Sequence, residues 1–160
     1  FRKILYWESI VVDVRKYTSR RAGITTALAA ALAKIDGRGL YKQSVAETSP
    51  RLKFWDEVEE FPAIHLNAGS ETRQYQTAGY KDRFLNVTVR CYVNEEDSVT
   101  ALDELLEDVE TVLEENSRLR YNDRNGLEQH THQISILSID TDEGVLDPLG
   151  VGELLIEVRY

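Results

Sequence analysis

The 160-residue chain has no methionine, one cysteine and three prolines. Without Met, its numbering does not start at an initiator. The lone Cys91 cannot close an internal disulfide, so a reducing compartment is expected. No run approaches the ~18 apolar residues of a membrane span, and no membrane partner is expected. The opening stretch, FRKILYWESIVVDVRKY, has basic residues near its front. Glu8 and Asp13 interrupt its apolar part, so it does not read as a signal peptide. Positive charge is also in short supply. Lys and Arg number 19 against 28 acids, for a net charge of −9 and a pI near 4.9. Tight binding to phosphate backbones requires clustered cations. TSRRAG (18–23) and SRLRYNDR (117–124) are locally basic, but in so acidic a chain they read as solvated surface. Internal repeats, Gly/Ser linkers and low-complexity tracts are missing too.

What is present fits one domain over 1–160. Hydrophobic residues make up 42% and charged residues 29%, and the length allows a sizeable core. Trp7, Ile10, Val11, Val14 and Tyr17 recur at helical spacing, which predicts a helix over 6–17. AGITTALAAALAKI (22–35) predicts a second, stopped by Gly37 and Gly39. GLYKQSV (39–45), RLKFW (51–55), PAIHL (62–66) and ETRQYQT (71–77) read as short strands. GSE (69–71) and GVGE (150–153) read as glycine turns before strands. In RFLNVTVRCYV (83–93), Leu85, Val87, Val89, Cys91 and Val93 point one way, and Asn86, Thr88 and Arg90 the other.

A third helix is predicted over 98–115, capped by Asp97 or Ser98. Val99, Leu102, Leu105, Leu106, Val109, Val112 and Leu113 form its apolar stripe. Asp103, Glu104, Glu107, Asp108, Glu110, Glu114 and Glu115 form an acidic outer face. Segment 116–132 is polar, a loop or loose hairpin around the Asn125-Gly126 turn. QISILSI (133–139) and ELLIEVRY (153–160) close the sheet, with Leu154, Ile156, Val158 and Tyr160 inward. The expected fold is α+β: one mainly antiparallel or mixed sheet with two or three helices packed on it.

Three patterns are candidates for chemistry. Asp140, Asp142, Glu143 and Asp147 surround Gly144, but a calcium loop starting at Asp140 would carry Gly144 and Val151 at two ligand positions. A strand-to-strand turn explains them better. His130 and His132 could pair on one face, and with the 140–147 acids would be the basis of a small metal-dependent enzyme; His65 is the only other histidine. No third zinc ligand stands at a recognisable spacing. Cys91 reads as strand interior, where a thiol is inert. No nucleophile elbow or phosphate-cradling glycine loop occurs. The residues thus point away from catalysis, with no cofactor or metal expected.

Two stretches, LKFWDEVEEFPAIHLNAGSETRQYQTAGYKDRFLNVTVRCYVNEEDSVTALDELLEDVETVL and ISILSIDTDEGVLDPLGVGELLIEVRY, resemble the tail terminator and minor tail proteins of long-tailed bacteriophages. The matching features run in order: Trp55 to Pro62, Gly69 to Glu71, Val89 to Val93, Leu102 to Leu113, Asp142 to Gly150, and Tyr160. The resemblance implies a structural protein of the virion tail, assembled in the host cytoplasm. It implies a ring, a hexamer, that caps the head-proximal end of the tail tube, stops its polymerisation and offers a surface to the neck. The expected partners are further copies of the chain, the tube protein and a head-completion or neck protein. DNA would pass through without being specifically bound, and net negative charge would keep it moving. A neck or head-completion protein of the same virion is the alternative. The polar segments 67–83 and 116–132 are expected to order on assembly. Contact residues expected there are Glu71, Arg73, Tyr75, Tyr80, Arg118, Arg120, Tyr121 and Arg124.

Overall fold

The computed structural model describes residues 18–160, so the helix expected over 6–17 lies outside it. Among the described residues there are two α-helices, α1 (Arg21–Leu32) and α2 (Ser98–Glu115). Seven strands follow in chain order: β1 (Glu47–Ser49), β2 (Ala63–Tyr75), β3 (Lys81–Asn94), β4 (Arg120–Asn122), β5 (Glu128–His130), β6 (Gln133–Thr141) and β7 (Leu149–Arg159). Five of them form one sheet in the order β1-β2-β3-β7-β6, antiparallel except for the β1–β2 pair. β4 and β5 make a separate two-stranded hairpin. This is the expected α+β architecture, with a mixed sheet.

The alternation in β3 decides which face is buried. Leu85, Val87, Val89, Cys91 and Val93 are all fully buried, joined by Ile64 and Leu66 of β2 and Leu154, Ile156 and Val158 of β7. Ile24, Leu28 and Leu32 of α1 and Leu102, Leu105, Val109, Val112 and Leu113 of α2 close this layer from above. β3 is paired along most of its length by β2 on one side and β7 on the other, which makes it the spine of the sheet. Asp97 caps α2 by accepting the Thr100 N–H at 3.2 Å.

Several local expectations are corrected. Residues 39–45 form no strand, only one isolated bridge between Asp36 and Ser44. The Asp108 carboxylate takes the backbone N–H groups of Lys42 and Gln43, which are therefore not free for a ladder. Residues 51–55 likewise form no strand and lead into a 3₁₀ turn at Trp55–Glu57. The strands expected at 62–66 and 71–77 are one strand, and the glycine stretch between them is a bulge in the register between Ala68 and Glu71, not a turn. GVGE (150–153) also lies inside a strand. Gly150 and Gly152 are small because α2 crosses there: a Cβ on Gly152 would stand 3.1 Å from Leu102 Cδ1. α1 ends at Leu32, short of the expected Ile35, although Ile35 is still buried. In α2, Val99 is 49% exposed and Asp108 only 3%, each opposite to expectation. Val99 sits in the helix's first turn, beside Gly144 of the acidic turn.

Candidate functional site

The four-carboxylate turn is built from the backbone outward. Glu143 and Gly144 both have positive φ, 55° and 81°. Asp142 accepts the N–H of Leu146 at 3.1 Å and of Val151 at 3.3 Å. Asp147 reaches across to α2 and accepts from the Ser98 N–H at 3.4 Å and from its hydroxyl. Two of the four carboxylates are thus spent on local N–H and O–H donors, one closing the turn and the other fastening it to the start of α2. Among the described residues, no three His, Cys, Asp or Glu side chains are grouped to hold a metal ion.

The histidines are dispersed as well. His130 and His132 are exposed on either side of Thr131, whose buried hydroxyl accepts the Leu119 N–H and donates to the Ser117 carbonyl, both at 2.8 Å. His65 is fully buried on the opposite face of the sheet from the helices, with its ring 5.3 Å from that of Tyr92. Glu47 lies 3.6 Å from its Nε2 and is held by Lys53 at 2.7 Å. Burial pushes the His65 pKa down, against the pull of Glu47. Glu47 is held below the usual carboxylate range, chiefly by its hydrogen bond from Lys53. Burial raises the Cys91 thiol to about 12, so it is no nucleophile.

The end of the β2–β3 hairpin stands out more. β7 and Tyr160 cover β3 only as far as Arg83, and the pairs Gln74↔Asp82 and Tyr75↔Lys81 continue past them. The tip turns through Ala78 and Gly79, both at positive φ. Tyr75 and Tyr80 are each 74% exposed there. The base is anchored: Glu71 accepts from the Tyr160 hydroxyl and from Arg73 Nε at 2.9 Å, and Asp82 pairs with Arg159 at 3.0 Å. Burial raises the Glu71 carboxyl, but these donors overcome it and hold the group below its ordinary range. Glu71 and Arg73 therefore position the hairpin, while Tyr75 and Tyr80 are presented outward.

The second group of expected contact residues divides differently. Arg118, Arg120 and Arg124 are exposed, but Tyr121 is only 4% exposed and packs on α1. The contact is so close that a Cβ on Gly23 would clash with the Asn122 carbonyl. Arg120 and Arg124 border a groove of about 640 Å³ between α1 and β4. Sequence reasoning missed the bond between Asp108 and the 42–43 backbone. One acid among seven on a helix carries no local mark of being the buried one.

The family described as Bacteriophage Tail Tube Terminator Protein matches residues 18–160. A relative, the tail tube terminator protein p142 of Escherichia phage T5, is 32% identical over 111 residues, 66% of this chain and 69% of the relative. Among solved structures, a chain of the virion of a native gene transfer agent particle aligns with a TM-score of 0.57 at 11% identity, covering 89% of this chain and 98% of that one. At that identity the likeness is one of fold.

Proposed function

Because the chain belongs to the family of bacteriophage tail tube terminator proteins, we propose that it closes as a ring, a hexamer, on the head-proximal end of the tail tube. There it stops tube polymerisation and presents the surface to which the head is joined. The family is one of structural virion proteins, not enzymes, and its place is the virion tail.

The observation that supports a docking role is the β2–β3 hairpin, with two tyrosines held out on an anchored base. Exposed Tyr pairs supply large, rigid contact area at low conformational cost, as recognition surfaces require. The tube end is the partner we assign to this tip, and a head-completion or neck protein takes the opposite face of the ring. The net charge of −9 suits a conduit that DNA crosses without being gripped.

Deleting the protein from its phage tests the assignment by electron microscopy. Tails of uncontrolled length that fail to join heads are expected. Normal-length tails joined to filled heads would overturn the proposal, and normal-length tails left unjoined would indicate a neck protein instead.

A further inference from the structure

Charges of opposite sign, largely unpaired among the described residues, are gathered on two separate surfaces. On α2, Asp103, Glu107, Glu110 and Glu114 recur at spacings of three and four and are exposed along one side. Like charges so placed cost helix stability. Of the four, only Glu107 has an ion pair among the described residues, a solvent-exposed one to Lys42 at 3.3 Å. The other surface is the groove between α1 and β4. Ala22, Thr26 and Ala30 line it at four-residue intervals and project little from the helix. Arg120 and Arg124 stand along its edge. Arg124 has no ion pair among the described residues, and Arg120 reaches Glu128 only at 3.6 Å with both side chains exposed. Tyr121 also lines the groove, with the Arg20 side chain beside it.

We infer that the acidic face of α2 on one subunit seats in the arginine-edged groove between α1 and β4 of the next. The contact rests on the ring proposed above and identifies the surfaces that would build it. The two surfaces share no residue, so one subunit can offer both at once. A contact between unlike patches is heterologous and propagates from copy to copy until it closes. The small residues of α1 let a neighbouring helix approach closely, since interaxial distance follows the side chains at the contact. Phosphates of a duplex would also suit the arginines, but would leave the α2 acids unmatched. A second copy satisfies both surfaces. Exposed charge pairs are individually weak and screened by salt, so the contact gains strength only where many copies are held together.

The test pairs two variants of the full chain, Arg120→Glu with Arg124→Glu, and Glu110→Arg with Glu114→Arg. All four positions are exposed, and thermal melts check that both variants fold. Self-association is followed by sedimentation at low salt, and ring formation by imaging on isolated tail tubes. Each variant alone should associate at least about tenfold more weakly, and an equimolar mixture, in which every contact is again between opposite charges, should recover. For the unmodified chain, association should weaken as salt rises. Variants that assemble like the unmodified chain, or a mixture that fails to recover, would overturn this contact and leave capping intact. An unmodified chain that neither self-associates nor forms rings on tubes would overturn the capping role, and the contact with it.

Discussion

The Asp108 carboxylate accepts the backbone N–H of Gln43 at 2.8 Å, across 65 residues of sequence. The same carboxylate holds the N–H of Lys42 at 3.1 Å. It thereby fixes the segment between α1 and β1 against α2 and satisfies two backbone donors. Asp108→Ala should cost about 1.5–3 kcal/mol in urea unfolding, the range for hydrogen bonds to a charged group. Glu107→Ala, one residue away and exposed, should stay within about 0.5 kcal/mol. Equal costs would mean that the 42–43 segment is held by something else.

Leu106 is the next point of contrast. It packs on the sheet beside Gly152, whereas Val99 of the same predicted stripe is half exposed. Leu106→Ala should lose about 2–5 kcal/mol. Val99→Ala should lose much less, because its side chain keeps water contact in either state. The comparison is read from paired denaturant midpoints at equal m-values.

The buried His65 sets an acid limit on stability. Its pKa is lowered in the fold from an ordinary 6.5, so the unfolded chain binds the proton more readily. Stability from this group is full above pH 6.5 and declines as pH falls below it, toward the folded value. The charged and titratable groups around it are Glu47, Lys53, Arg90 and Tyr92. Glu47, held below 4.5, adds a further loss only at more acid pH. His65→Phe keeps a ring beside Tyr92 but cannot titrate. Its melting temperature should vary less between pH 7 and pH 5 than that of the unmodified chain, and identical slopes would refute the assignment.

Cys91 offers a chemical readout of the core. Fully buried, with its thiol raised to about 12, it should resist alkylation in the native protein and react at once in denaturant. Stoichiometric native labelling would show that β3 is not the closed spine described here.

The hairpin tip separates folding from function. Tyr75→Ser with Tyr80→Ser removes two exposed rings and should leave the melting temperature nearly unchanged. Binding to isolated tube ends should fall about tenfold or more if these rings anchor the contact. Unchanged binding would move the docking surface elsewhere on the subunit.

Local pattern was enough for some of this protein. Period-two alternation placed Leu85 through Val93 on the buried face, and the acid-rich Leu/Val repeat gave α2 the bounds Ser98–Glu115, because each regular element has its own spacing and needs no distant partner to reveal it. The order of motifs from Trp55 to Tyr160 pointed to the terminator family. The rest was decided by tertiary contact. Lys42 and Gln43 look like strand residues until Asp108 takes their N–H groups. Gly150 and Gly152 look like a turn until α2 is seen to lie on them. Tyr121 looks like an exposed loop aromatic until Gly23 lets α1 close over it. In each case the deciding partner lies tens of residues away in sequence, and a hydrogen bond or a close approach between such segments leaves no periodic signal in either one.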